Sequence, residues 1–112
     1  MLDSLEIDVN QWVATNQQLI NEHTAKNYPN LVPDTLTYTE GGRYYKVVKH
    51  GGVHAFIAKE DFVTKGMGQV YKGDIFKPAS WNAPAKHARG NIYDESKGMS
   101  QMNPYGPNYL RG

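Results

Sequence analysis

The sequence predicts a mainly β domain: one N-terminal α-helix followed by a strongly bent, five-stranded small barrel. Three observations predict it. Residues 4–26 carry a single apolar stripe at helical spacing. From residue 35 the chain turns β-branched and aromatic and is cut by two Gly-Gly turns. The apolar residues of these runs fall on both strand parities, which a sheet with one wet face would not show.

The helix is built on Leu5, Val9, Trp12, Val13, Asn16, Leu19 and Ile20, spaced three or four apart. Asp3 and Glu6 have the spacing of a capping box, with Asp in place of Ser or Thr. Trp12 reads as a core or interface anchor. The sequence Asn27-Tyr28-Pro29 stops the helix, and Pro33-Asp34 extends the loop. Strands are expected over residues 35–40, 43–50 and 53–59, joined at Gly41-Gly42 and Gly51-Gly52. Tyr45 and Val47 share one parity, Tyr44 and Val48 the other. A closed barrel, or a sheet covered by a helix, accounts for that. Residues 60–69 read as a loop with an irregular strand end. Residues 70–77 read as a fourth strand, bent or bulged at Gly73. Residues 79–88, broken by proline, read as a 3₁₀ turn or tight loop, and residues 90–93 as a short fifth strand. Residues 1–94 thus form one domain, with the barrel over 35–94. Residues 95–112 form a Gly/Pro/Tyr tail that reads as a disordered end, or as an extended docking segment through Tyr105, Tyr109 and Leu110.

A helix ahead of five short strands is the order of SH3-type small barrels, and it resembles Sm-like proteins in particular. Order alone does not set function.

Composition removes several chemistries. There is no cysteine, hence no disulfide framework and no thiolate. No apolar run approaches the roughly 20 residues that span a bilayer. His23, His50, His54 and His87 lack metal-ligand spacing, and Asp74 is the only acid near the proline-rich stretch. Ser80 and His87 have no third partner for a triad, and no phosphate-cradling glycine loop or cofactor motif is present. The reading is non-enzymatic, without cofactor or metal.

Net charge is +1, but it is unevenly spread. Residues 1–42 hold six acids against one lysine, whereas residues 43–93 hold nine Lys and Arg against three acids. The basic segment calls for an anionic partner, or else for the acidic segment packed beside it. Its densest part is residues 73–91, GDIFKPASWNAPAKHARGN. Lys77, Lys86, His87 and Arg89 would meet phosphate, while Trp81 and Tyr71 would stack on bases and Asn91 would bond a base or phosphate. Each has a structural alternative. Trp81 could plug one barrel end, and Arg89-Gly90-Asn91 could be a turn held by its own side chains.

These residues also carry a resemblance. The pattern GDI-KPASW-APAKHARGN, preceded by RYYKVVKHGGVHAFIAKEDF, resembles a family of small proteins of tailed bacteriophages and cyanophages from marine viral sequence. The resemblance spans about residues 42–94. It implies a viral accessory protein in the cytoplasm of the infected bacterial host, with an Sm-like fold and ring-shaped homo-oligomers. The joint expectation is binding of RNA or single-stranded DNA by a cyclic homo-oligomer, away from any membrane. A host-directed protein-interaction module is the alternative.

Overall fold

The computed structural model describes residues 4–108. Asp3 of the expected capping box, and Tyr109 and Leu110 of the expected docking tail, lie outside the described residues. The helix α1 (Ser4–Asn27) buries Leu5, Val9, Trp12, Asn16 and Ile20 of the expected stripe and leaves Val13 and Leu19 half-buried. It ends where Tyr28 and Pro29 turn the chain. Gln17 then fastens the loop that follows: its Nε2 donates to the Asp34 carbonyl at 2.8 Å and its Oε1 accepts the Leu36 N–H at 2.7 Å.

Nine strands follow among the described residues. They are β1 (Leu36–Glu40), β2 (Tyr44–Lys49), β3 (Gly52–Ala58), β4 (Phe62–Thr64), β5 (Gly68–Val70), β6 (Asp74–Ser80), β7 (Ala83–Asn91), β8 (Met102–Asn103) and β9 (Gly106–Pro107). Five of them make one antiparallel sheet in the order β1-β2-β3-β6-β7; β4-β5 and β8-β9 are two-stranded ribbons. No pairing between β1 and β7 closes the sheet among the described residues. The expected closed barrel is therefore replaced by an open sheet with two edges.

The apolar residues lie on both parities because both faces are covered. On one face α1 and residues 98–107 pack over Leu36, Tyr45, Val47, Ala55, Ile57, Ile75 and Ile92, with Met99 and Met102 joining from the tail. On the other, the β4-β5 ribbon lays Phe62, Met67 and Val70 over Tyr44, Phe56, Ala58 and Phe76. Each fully buried aliphatic or aromatic side chain contributes about 1.5–3 kcal/mol.

Three further expectations are corrected. Residues 60–69 form the β4-β5 ribbon rather than a loop. Residues 79–88 are not a 3₁₀ turn; they complete a long hairpin with Trp81-Asn82 at its tip, and the fifth strand is β7 rather than residues 90–93. The prolines do not break this hairpin because Pro78 and Pro84 face each other in register. Neither has an N–H to give, so the pair occupies a non-hydrogen-bonded position of the ladder. Finally, residues 95–108 are not a loose end. The Trp12 indole N–H donates to the Gly98 carbonyl at 3.1 Å, within the core. Gly98 has a φ of 79°, and a Cβ there would stand 2.8 Å from both Ile75 Cδ1 and Trp12 Nε1.

Gly98→Ala should consequently lower the urea unfolding midpoint, with a loss on the order of 2 kcal/mol from left-handed strain and overpacking. An unchanged midpoint would mean that the tail does not pack on Trp12.

Candidate nucleic-acid interface

The β6-β7 arm carries Trp81 at its tip, 52% exposed, so the indole does not plug a barrel end. Lys46 of β2 reaches it from the sheet: its Nζ lies 4.6 Å from the indole centroid and donates to Asn82 Oδ1 at 3.2 Å. Such an exposed cation–π contact contributes about 0.5–1 kcal/mol, enough to bias the ring to one orientation. Lys86 and His87 are exposed on β7, and no side-chain contact engages either among the described residues. The arm thus presents an indole, one ammonium group and an imidazole, and β2 adds the ammonium group of Lys46.

The remaining expected site residues do other things. Lys77 is half-buried, and its Nζ donates to the Pro107 carbonyl at 3.1 Å. Arg89 is 7% exposed. Its Nε donates to the Asn108 carbonyl at 3.1 Å and its Nη1 to the His87 carbonyl. Both cations fasten the tail to the arm. Asn91 is a clamp, with Nδ2 donating to the Lys72 carbonyl at 2.9 Å and to Asp74 Oδ1 at 3.0 Å, while Oδ1 accepts the Tyr93 N–H. Arg89-Gly90-Asn91 is therefore held by its side chains, but as the end of strand β7 rather than as the turn of the alternative reading. Tyr71 is exposed, but it sits in the connection between β5 and β6, and the whole length of β6, roughly 20 Å, separates that connection from Trp81. Lys46 and Asn82 were absent from the expected site. Lys46 and Lys49 lie on opposite faces of β2: Lys49 Nζ lies over Tyr105, on the helix-covered face.

Beneath α1 lies a second polar cluster. Val47 pairs with Ala55 and Val48 with Val53, so His54 is the extra residue of a β-bulge in β3. The bulge turns His54 into the core, 1% exposed, beside Trp12 and Asn16. Asn16 Nδ2 donates to the Trp12 carbonyl at 2.8 Å, which leaves its Oδ1 to face His54 Nε2 at 3.3 Å. An amide oxygen only accepts, so the imidazole proton is on Nε2 and Nδ1 is bare. That buried Nδ1 has no hydrogen-bond partner among the described residues. Burial first, and then the charges of Lys49 and Lys77, push the His54 pKa down from 6.5 to about 4. Asp94 also sits low. Burial opposes this, but hydrogen bonds from the Gly98 N–H, the Ser96 hydroxyl and the Asn91 and Ser96 N–H groups outweigh it. No group of three or more His, Asp or Glu is placed to hold a metal among the described residues.

A profile of a family of unknown function, DUF7717, matches residues 1–106. The chain belongs to that family. The match takes in α1, the whole sheet and the tail through Gly106, so the packed tail falls within what defines the DUF7717 unit. No curated protein and no solved structure matches the chain.

His54 predicts a pH dependence. A histidine with a lowered folded pKa binds a proton more readily when unfolded, so stability rises with pH between the two values. Its contribution is complete above about 6.5 and is lost as pH falls towards 4, a change on the order of 3 kcal/mol. Asp94 loses its own contribution only below the ordinary carboxylate value of 3.8, outside that window. Chemical denaturation from pH 7 to 4 should show the fall, and His54→Gln should flatten it. An equally steep fall in the variant would assign it to other groups.

Proposed function

We propose that this protein binds single-stranded RNA or DNA, without catalysis, through the exposed end of its β6-β7 arm. The observation that carries the reading is Trp81, half exposed at a hairpin tip with the Lys46 ammonium 4.6 Å from its ring centroid. Bases offer a flat π-face to such a ring whatever their sequence, and Lys46 and Lys86 suit the phosphates between them. His87 adds a hydrogen-bond donor beside Lys86. The charge split along the chain supports the same reading, because the basic half holds the arm.

The finer reading is an Sm-like phage accessory protein acting in the cytoplasm of the infected bacterium. The helix-first order and the five-stranded meander support the Sm-like part. The open edges of β1 and β7 suit pairing between copies, which would gather several arms into one cyclic assembly. One observation favours a host protein as partner instead. Tyr28, Leu31 and Val32, the last 90% exposed, form an apolar run after α1, beside a cavity of about 160 Å³ that Tyr105 also lines.

Anisotropy of labelled poly-dT and poly-U should show binding that weakens linearly in log–log form with salt, with a slope of about −0.7 per phosphate neutralised. Lys46→Glu with Lys86→Glu should lower affinity tenfold or more at low salt. Trp81→Ala should lower it roughly 5- to 100-fold, the usual range for a stacked base. No binding at low salt by folded protein would overturn the proposal. Undiminished binding by the charge-reversed pair would move the interface off the arm.

A further inference from the structure

Between β3 and β6 the sheet comes apart. Their ladder holds only Phe56–Phe76 and Ile57–Ile75. Continued in register, it would set Val53 opposite Ala79 and Gly52 opposite Ser80. No pairing is present there among the described residues. Two features stop it. The bulge at His54 shifts the phase of β3. Pro78 has no N–H, and since it does not bond across to Pro84, its missing donor faces β3.

The strands leave an open slot of about 350 Å³ between Gly51, Gly52 and Val53 on one side and Pro78, Ala79 and Ser80 on the other, with Trp81 as its end wall. Lys46 does not line it, so the ammonium on the indole leaves the slot free. The walls are flat, small and mostly apolar. Strand alternation turns the N–H and C=O of either Gly52 or Val53 towards the gap, where β6 would have met them. Those groups and the Ser80 hydroxyl offer both donor and acceptor. Gly52 is informative in another way. Its φ is outside the left-handed region, and a Cβ there would meet nothing nearer than the Lys49 carbonyl oxygen at 3.9 Å. No neighbouring atom crowds the backbone at Gly52, which leaves it open to approach.

We infer that this slot takes one unpaired nucleobase, stacked on the Trp81 indole with its edge bonded to the Gly52–Val53 backbone and Ser80. The inference rests on the nucleic-acid reading of the arm and adds the base-binding element to it. A base in a duplex has its faces covered by neighbours, so occupancy also makes the site selective for single strands.

The test compares dT10 with an abasic oligomer of the same length and charge, at one fixed salt concentration, by anisotropy and by tryptophan fluorescence. Trp12 is 3% exposed, so quenching reports Trp81. The expected result is tenfold or greater preference for dT10, with quenching by dT10 alone. Ser80→Val takes the hydroxyl out of the slot wall and adds bulk there, and should bring the affinity for dT10 down to that for the abasic oligomer. Its fold is checked by its circular dichroism and unfolding midpoint, and the wild-type comparison stands without it. Equal binding of both oligomers with an unquenched indole would overturn the slot while leaving phosphate binding intact. Failure of both to bind at low salt would overturn the parent reading and the slot with it.

Discussion

The hydrogen bond from the Trp12 indole to the Gly98 carbonyl joins residues 86 positions apart and ties three layers together. Trp12 lies on the helix, Gly98 on the tail, and Ile75 of β6 lies against both. A buried indole N–H without a partner would cost about 1–3 kcal/mol, so the tail is part of what makes a tryptophan affordable in this core. Once Gly98 is fixed, Met99 and Met102 fall onto the same apolar layer. The chain then delivers β9 against β3 and β6. There the carbonyls of Pro107 and Asn108 take up Lys77 and Arg89. The packing at residue 12 is thus linked, through the tail, to the engagement of two cations of the basic segment.

The polar cluster beneath α1 has a comparable reach. Asn16 sits in an otherwise apolar stripe, and its amide serves the Trp12 carbonyl, the Met99 sulfur and His54 at once. The bulge that aims His54 inward also interrupts the pairing of β3 with β6. A single extra residue therefore produces both a buried neutral imidazole and an opening at the far end of the sheet. Protonating that imidazole would place a charge next to Lys49 and Lys77 with no acceptor at Nδ1, which links the acid lability of the fold to the same local geometry.

Much of the fold was legible because its signals are periodic. The stripe of α1 and the runs around Gly41-Gly42 and Gly51-Gly52 follow directly from spacing and turn chemistry. The hairpin over residues 74–91 was not, since proline usually marks the end of a strand, and only register shows that Pro78 and Pro84 excuse each other. The tail was illegible for a different reason. Gly98, Met99, Met102, Gly106 and Pro107 make its core contacts, and no period relates them. In the candidate site, Trp81, Lys86 and His87 were readable as exposed groups on a punctuated stretch. An internal role for Arg89 and Asn91 was readable as an alternative, but their partners were not, because the tail carbonyl that Arg89 meets and the Lys72 carbonyl and Asp74 carboxylate that Asn91 meets lie 17 to 19 positions away.

The facing prolines also explain why this end of the sheet is available at all. In a non-hydrogen-bonded pair, each residue turns its backbone groups away from its partner. Pro78 turns its absent N–H towards β3 and so ends that ladder. Pro84 turns its absent N–H outward, along the open edge of β7. An edge without that donor resists the addition of another strand, which is a common protection of exposed sheet edges. One pair of prolines thereby opens a gap on one side of the arm and blocks strand pairing on the other. The near end of β7 and the whole of β1 keep edges that no strand pairs with among the described residues. The far end, with Trp81 and Lys86, keeps its side chains for something that is not a β-strand.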